Sequence, residues 1–356
     1  MNALGERIAA LIAAQGPISV AQFMTLALHD AQGGYYATRD PFGRGGDFIT
    51  APEISQMFGE MLGLWCGQVW TDQGCPKNTR LVELGPGRGT LMADAQRVLK
   101  RVPGFLDDVE LVLVEASPTL RDIQRERLKD SGATIRWSTH FEVQDSPLLL
   151  LANEFFDALP VRQYVKTPRG WCERMVIVKD GELDFALAPQ ITPAVAIPAS
   201  RAGAPDGGVY ETAPAAISLT EEISRIIAAH GGAALLIDYG YADAGFGETL
   251  QAVRDHRFAP ILADPGASDL SAHVDFAALT EAARHGGAQI FGPRPQGGFL
   301  EGLGIHVRAR RLVQAHPSEA ENLSKAVARL TAPDQMGNLF RAMALMPPSA
   351  PPLPGF

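Results

Sequence analysis

A glycine-rich turn carries the clearest chemical signal in this 356-residue chain. The apolar run 81–84 contains one acid, leads into the glycine turn 85–89, and is followed by an amphipathic helical pattern. A strand, a tight turn and a helix in this order build the cofactor site of a doubly wound α/β sheet. Thr90 replaces the last glycine of the dinucleotide pattern, and Pro86 removes an N–H that could face a pyrophosphate. The turn therefore favours a ligand without a diphosphate, for which S-adenosylmethionine is the obvious candidate.

A carboxylate follows the next predicted strand. The apolar run 110–114 leads to Glu115, and Ser117-Pro118 opens another helix. An acid at the end of the second strand of such a sheet can accept hydrogen bonds from both ribose hydroxyls. The alternative is that Glu115 only caps the helix. The glycine turn and Glu115 together predict a cofactor with a ribose.

The cofactor contacts are predicted from the strand ends. We expect Glu83, Gly85 and Gly87 at the methionine part, Glu115 at the ribose, His140 and Phe141 near the adenine edge, and Asn153 facing the cofactor from the fourth strand. The fourth strand ends in Asn153-Glu154-Phe155-Phe156-Asp157. Ligands of open parallel sheets lie outside the carboxyl ends of the strands, so these side chains should flank the reactive end of the cofactor.

The composition is ordinary for a globular enzyme, with 46% hydrophobic and 20% charged residues. A net charge of -9 argues against general nucleic-acid binding. The cysteines Cys66, Cys75 and Cys172 show no metal-binding spacing and favour a reducing compartment. No apolar run is long enough for a membrane span, and the first residues do not resemble a signal peptide. The prediction is a cytoplasmic protein.

The elements that position these groups follow from hydrophobic periodicity. Helices are predicted near residues 4–12, at 20–27 and at 54–70, with a shaped glycine-rich loop at 40–53 between the last two. Further strands are predicted at 134–137, 148–152 and 233–237, and a hairpin at 164–178 around Pro168-Arg169-Gly170. Residues 184–215 are expected to form irregular loops, and the proline-rich tail 347–356 has little prospect of regular structure.

Several long motifs resemble one known family. They are the segments Gly46–Glu60, Glu83–Leu91, Asn153–Pro160, Leu236–Tyr241, Ser271–Phe276 and Met336–Phe340. The chain is identified by them as a member of the MidA-like family of S-adenosylmethionine-dependent methyltransferases, over a stretch that ends near residue 342. Segment 296–304 is richer in glycine than the family pattern, which puts in doubt the rigidity of that flank of the pocket.

The resemblance implies an activity and a partner. Mitochondrial members of the family are linked to respiratory complex I assembly through symmetric dimethylation of an arginine in a core subunit. We therefore expect a protein substrate that presents an arginine, such as a complex I subunit, and no nucleic-acid partner. Nothing in the sequence indicates a dimer interface, so the oligomeric state is left open.

Methyl transfer to arginine needs no metal, but it needs carboxylates. The guanidinium has a pKa above about 12, so acids must orient it and accept its proton. The candidates are Asp47, Glu53, Glu154, Asp157, Asp238 and Asp275, with His273 as a proton relay. A lone histidine among small and apolar residues is more often structural.

The expected fold is an α/β, doubly wound Rossmann-like methyltransferase sheet. We expect an N-terminal helical cap with a pocket-covering loop (1–75), a core (76–346) with insertions at about 160–215 and 241–275 that form a substrate lobe, and the tail 347–356. Two other functions stay open. A nicotinamide-dependent oxidoreductase should show the full dinucleotide pattern, whereas a non-catalytic assembly factor could keep the cofactor site without turnover.

Overall fold

A twisted, mostly parallel sheet with helices on both faces forms the centre of the molecule. The structure, a computed structural model, describes residues 1–38, 50–243 and 245–356. The helices are α1 (Ala3–Gln15), α2 (Val20–His29), α3 (Tyr35–Thr38), α4 (Ala51–Ile54), α5 (Gln56–Asp72), α6 (Thr90–Leu99), α7 (Phe105–Asp108), α8 (Pro118–Leu128), α9 (Pro214–His230), α10 (Phe276–His285), α11 (Gln296–Gly302), α12 (Ile305–Ala315), α13 (Ala320–Thr331) and α14 (Met336–Leu339).

In the described part of the chain, the strands form three sheets. They are β1 (Ile18–Ser19), β2 (Thr79–Leu84), β3 (Val109–Val114), β4 (Ile135–Ser138), β5 (Leu148–Asn153), β6 (Arg162–Thr167), β7 (Gly170–Lys179), β8 (Glu182–Leu187), β9 (Val209–Thr212), β10 (Gly232–Tyr241), β11 (Gln251–Arg254), β12 (Arg257–Ala259), β13 (Asp269–Ser271), β14 (Val274–Asp275), β15 (Gln289–Pro295) and β16 (Phe340–Met346).

The central sheet has the order β15-β16-β10-β5-β2-β3-β4, with β14 beside β10. Strands β4, β3, β2, β5 and β10 are parallel, whereas β16 is antiparallel to both of its neighbours. The chain order reverses between β2 and β5, because β3 and β4 extend the sheet on one side and β5 and β10 on the other. Ligands of doubly wound sheets bind at this switch point, so the topology confirms the predicted fold class and locates the site.

Strands β2, β3, β5 and β10 contribute residues to the cores on both faces of the sheet, which is why their sequences are largely apolar. One core lies on the side of α5 and α6 and the other on the side of α9 and α10. The antiparallel pair β15–β16 closes the far edge of the sheet and brings the C-terminal helices onto the first core.

The N-terminal cap and the two insertions share a hydrophobic core of their own. Helices α1 and α2 pack with β7, β11 and β13 through residues such as Ile8, Phe23 and Val176. Strand β1 also pairs antiparallel with β7, so that Ile18 lies opposite Val176. The cap and the inserted strands therefore form one lobe beside the central sheet.

Two local expectations need correction, and a third is confirmed. The helix predicted over 54–70 is broken at Ser55, whose hydroxyl caps α5 by accepting the Met57 N–H at 3.2 Å. Part of the region 184–215 is regular rather than irregular, because β8 and β9 complete the open edges of β7 and β6. The predicted hairpin is present as β6 and β7.

The glycine-rich segment 296–304 contains helix α11 and the turn that leads into α12, and it does not line the cavities described below. A Cβ on Gly297 would lie 2.3 Å from the carbonyl oxygen of Thr331, so glycine permits close helix packing there. The tail has no helix or strand, yet it is packed: Phe356 contacts Phe299, with ring centroids 5.1 Å apart.

Candidate functional site

A cavity of about 760 Å³ opens at the carboxyl ends of β2 and β3. This volume lies within the range of small-molecule sites. The cavity is lined by residues of the glycine turn, of the β3–α8 and β4–β5 connections, of the segment after β5, of the cap and of α9. The lining residues include Gly85, Gly87, Glu115, Ser117, His140, Phe141, Glu154, Phe155, His29, Tyr36 and Leu219. The sheet and the lobe thus meet around one large pocket.

The glycine turn has the backbone conformation that its sequence requires. Gly85 and Gly87 have φ angles of 60° and 53°, in the left-handed region that glycine adopts without strain. A Cβ on Gly85 would also lie 2.9 Å from the Phe155 ring. The turn can therefore bring its main chain against a ligand in the cavity.

Glu115 lies at the cavity directly after β3, where it accepts hydrogen bonds on both oxygens. The Ser117 N–H donates to Oε1 at 2.8 Å, and the Gln124 amide donates to Oε2 at 3.3 Å. Burial raises the pKa of Glu115, and these donors act in the opposite direction. The side chain that caps α8 is that of Ser117. Glu115 is therefore not the helix-capping residue that the alternative interpretation of the sequence assumed.

A second, smaller pocket of about 40 Å³ shares Gly85, Gly87 and Glu154 with the large cavity. Glu83 and Asn153 line it, and Glu83 is only 3% exposed. Its Oε2 and the Oδ1 of Asn153 have no hydrogen-bond partner among the residues that the structure describes. Burial, followed by the charge of Glu115, raises the pKa of Glu83 to about 8. These two oxygens can therefore accept hydrogen bonds from a ligand, for example from an ammonium group.

Glu154 joins the two pockets and has an unusual backbone. Its φ is 51°, a left-handed conformation that a residue with a Cβ adopts only where its surroundings hold it there. Its Oε1 accepts the N–H of Ala51 at 2.8 Å and the side-chain amide of Asn153 at 3.1 Å. Burial raises the pKa of Glu154 to about 7. The carboxyl group can therefore exchange a proton near neutral pH.

Glu53 lines the small pocket from α4. Its carboxylate accepts a hydrogen bond from the hydroxyl of Thr90, and the guanidinium of Arg127 donates to that hydroxyl at 2.6 Å. Thr90 is the residue that replaces glycine in the dinucleotide pattern. In this fold its hydroxyl fixes an acid on the opposite wall of the pocket.

Asp238 is placed differently from its sequence-based prediction as a catalytic acid. It is 1% exposed, and it lines neither of these two pockets. Its Oδ2 accepts N–H groups from residues 155, 156 and 157 at 3.1, 2.9 and 3.2 Å, and its Oδ1 accepts the Tyr239 N–H at 2.9 Å. The four donors make Asp238 a clasp for the turn after β5, so it positions the neighbouring residues instead of facing a ligand.

Asp157 and Asp275 do not line these two pockets either. Asp157 lies beside the clasp, where burial raises its pKa to about 6 and the Tyr239 side chain hydrogen-bonds to it. Asp275 caps α10 at the Ala278 N–H and pairs with buried Arg201 at 3.2 Å. His273 and Asp275 line a different cavity, of about 30 Å³. Asp47 lies outside the described residues.

The comparisons with known proteins agree with this geometry. Residues 61–294 match the family model described as "Putative S-adenosyl-L-methionine-dependent methyltransferase". The human protein arginine methyltransferase NDUFAF7, mitochondrial, is 38% identical over 94% of this chain and 81% of its own length. Its counterpart from Xenopus tropicalis is 35% identical over 100% of this chain and 89% of its own length.

A solved structure resembles the whole fold. The crystal structure of a protein from Burkholderia thailandensis with bound S-adenosyl-homocysteine has a TM-score of 0.88 and 32% identity, covering 99% of this chain and 94% of its own. The chain belongs to the MidA-like family of S-adenosylmethionine-dependent methyltransferases. The resemblance read from the sequence motifs is confirmed, and the nicotinamide-dependent alternative falls away.

The residues present in this methyltransferase fit its cofactor. The unpartnered oxygens of Glu83 and Asn153 can accept from the ammonium group of the methionine moiety, and Glu115 has lone pairs left for ribose hydroxyls. Among the described residues, no cluster of His, Cys, Asp and Glu has the geometry of a metal site. No helix in the described part of the chain is long and apolar enough to cross a membrane.

Three residues at this site were not among those predicted from the sequence. His29 and Tyr36 enter the cavity from the cap, and the Tyr36 hydroxyl donates to Asp269 at 2.8 Å. Gln124 lies in α8 behind Glu115. The aromatic pair Tyr35-Tyr36 beside two glycines was a signal for Tyr36, whereas His29 and Gln124 are single residues in helices and gave none.

Proposed function

We propose that this methyltransferase modifies an arginine side chain of a protein. The curated relatives described above are named protein arginine methyltransferases. The observation that carries the proposal is the pair of carboxyl groups of Glu53 and Glu154, which line the same pocket beside the glycine turn. Two acids facing one pocket suit a planar cation better than a neutral nucleophile.

The two acids have different tasks in the proposed reaction. Glu53, held by Thr90, orients the guanidinium and balances its charge. Glu154 accepts the proton that the guanidinium must lose, since its pKa of about 7 allows it to take up and release a proton at neutral pH. The cofactor supplies a methyl group activated by its sulfonium. The contribution of the chain is chiefly alignment and exclusion of water.

For the cofactor we propose Glu83 and Asn153 at the methionine ammonium, Gly85 and Gly87 along the turn, Glu115 at the ribose, and His140 with Phe141 near the adenine. All of these residues line the two joined pockets. Of the predicted catalytic residues, we keep Glu53 and Glu154 as catalytic and assign Asp157 and Asp238 to positioning.

The acceptor class can be tested without knowing the acceptor. Purified protein is incubated with methyl-tritiated S-adenosylmethionine and a heat-treated lysate of cells that lack the gene, and the labelled proteins are hydrolysed to amino acids. We expect the label in methylarginines. Label in methyl-lysine or carboxyl methyl esters would contradict the proposal. Binding of the cofactor without any label would favour the non-catalytic assembly factor.

A pair of variants sharpens the test. Glu154→Gln keeps the size of the side chain but cannot accept a proton, and we expect labelling to fall about 100-fold. Glu126→Gln is the matched control, since Glu126 lies on the surface of α8, where it pairs with Lys129. It should label like the unaltered protein. Equal labelling by both variants would remove Glu154 from the reaction.

A complex I subunit as acceptor, the symmetry of the methylation and a cytoplasmic location stay predictions. The curated relatives carry the word mitochondrial in their names, which does not favour the cytoplasm. A protein substrate is supported by the same names.

A further inference from the structure

The ribose carboxylate and the glycine turn are joined by one buried amide. Gln124 is 0% exposed and lies in α8, on the side that faces the glycine turn. Its Nε2 donates to the carbonyl oxygen of Gly87 at 2.7 Å and to Oε2 of Glu115 at 3.3 Å. A primary amide has two N–H donors, so one group serves both acceptors.

The orientation of this amide is fixed from a third side. The indole N–H of Trp137, at the end of β4, donates to Oε1 of Gln124 at 3.0 Å. An indole nitrogen is only a donor, so it must face the amide oxygen, and the NH₂ must then face Gly87 and Glu115. All three hydrogen bonds of Gln124 therefore agree on one orientation.

The last glycine of the turn provides the space for this contact. A Cβ on Gly89 would lie 3.3 Å from Cγ of Gln124, closer than most real Cβ contacts. Because Gly89 has no side chain, α8 can approach the turn closely enough for the Gln124 amide to reach Gly87. The glycine spacing noted in the sequence thus serves this amide as well as the ligand.

We propose that Gln124 is a positioning residue for ribose recognition, which holds the Glu115 carboxylate and the Gly87 carbonyl in the arrangement that the cofactor requires. The inference rests on the proposed role of Glu115 at the ribose. Ser117 N–H fixes Oε1 of Glu115, and Gln124 fixes Oε2, so the carboxylate plane is set before a ligand enters. Such preorganisation lowers the cost of binding.

The test compares S-adenosylhomocysteine with its 2′-deoxyribose analogue by calorimetry. We expect the intact protein to bind the analogue about tenfold more weakly, because a hydrogen bond to a charged group is lost. In Gln124→Met, which keeps the volume but loses all three hydrogen bonds, S-adenosylhomocysteine should bind about tenfold more weakly and the preference for the hydroxyl should largely vanish.

Gln96→Met is the matched control. Gln96 is another buried glutamine, in α6, and it lines neither pocket. We expect its affinities to equal those of the intact protein. If Gln124→Met weakens both ligands by the same factor, Gln124 has only a structural role and the inference is overturned.

Two further variants keep the outcome decisive. Trp137→Phe removes the N–H that orients the amide, and it should also reduce the preference for the 2′-hydroxyl of the ribose. This variant replaces Gln124→Met in the test if Gln124→Met does not fold. Glu115→Ala should abolish that preference. If Glu115→Ala retains it, the ribose assignment fails; if Glu115→Ala loses it and Gln124→Met retains it, the Gln124 inference alone fails. Neither result depends on which acceptor is methylated.

Discussion

Glu83 and Asp238 are both buried acids on parallel strands of the central sheet, and they behave oppositely. Each is a buried acid near the carboxyl end of a parallel strand, 3% and 1% exposed. Oε2 of Glu83 has no partner among the described residues, whereas the carboxylate of Asp238 accepts four backbone N–H groups. We expect the number of donors around a buried carboxylate, rather than its burial, to separate a ligand-binding acid from a structural one.

The largest effect is expected from breaking the Asp238 clasp. Asp238→Ala leaves four N–H groups without their acceptor, and we expect the free energy of unfolding to fall by about 4 kcal/mol or more. Asp238→Asn keeps one acceptor oxygen and should lose roughly half of that. Urea denaturation followed by circular dichroism measures both. A loss below about 1 kcal/mol for the alanine variant would show that the clasp contributes little.

Replacing Glu83 is expected to have the opposite effect on the free energy of unfolding, and the size of this effect depends on pH. The pKa of Glu83 is about 8 in the folded protein, against an ordinary value of 4.5. Between these values the folded state keeps a proton that the unfolded state has lost, so the free energy of unfolding falls as pH rises from 4.5 to 8. Glu83→Gln removes this titration and should stabilise the cofactor-free protein above pH 8, on the order of a few kcal/mol.

The measurement is denaturation of the intact and Glu83→Gln proteins at pH 5 and pH 8. We expect the gap between them to widen with pH. Parallel pH profiles would mean that Glu83 finds its donor within the protein, and the contrast with Asp238 would then disappear.

A smaller effect is expected at Asp275, whose carboxylate resembles that of Asp238. Asp275→Asn keeps an oxygen for the Ala278 N–H but loses the charge that faces Arg201. We expect a loss of about 1–2 kcal/mol in the free energy of unfolding, because Arg201 is buried. The affinity for S-adenosylhomocysteine should not change. A weaker affinity would instead place Asp275 near the ligand.

The smallest effect is expected from Thr90→Val, which removes the hydroxyl that fixes Glu53 while keeping the shape of the side chain. Turnover of the arginine acceptor should fall about fivefold, the value of one hydrogen bond. Thr90→Ser retains the hydroxyl and is the control. If the valine and serine variants turn over the acceptor at the same rate, the orientation of Glu53 does not depend on Thr90.

The strand-end rule explains how much of the site could be predicted. Gly85, Gly87, Glu115 and Glu154 follow the strands β2, β3 and β5, which are neighbours in the sheet, and the structure brings them to one cavity. The rule does not say which way a side chain turns after its strand. The Asp238 side chain points toward the turn after β5. The left-handed backbone of Glu154 begins this turn, and the N–H groups of residues 155, 156 and 157 donate to Asp238. That arrangement depends on residues more than eighty positions apart, so no local pattern reveals it.

The cap residues were missed for a related reason. His29 and Tyr36 reach the cavity only because the cap packs on strands inserted far along the chain. Helical periodicity predicted α2 and its apolar face, but not the surface against which that face packs. Gln124 shows the same limit on a smaller scale, since its three partners come from three different segments.

The pairing of β1 with β7 bears on how the protein is made. Ile18 leaves the ribosome early, whereas its partner Val176 is added more than 150 residues later. At a synthesis rate of about 5–20 residues per second, the cap helices wait roughly ten seconds or longer for the strands that cover their apolar face. During that interval Ile8, Phe23 and Met24 lack the partners that bury them, and they are the natural contacts for a chaperone.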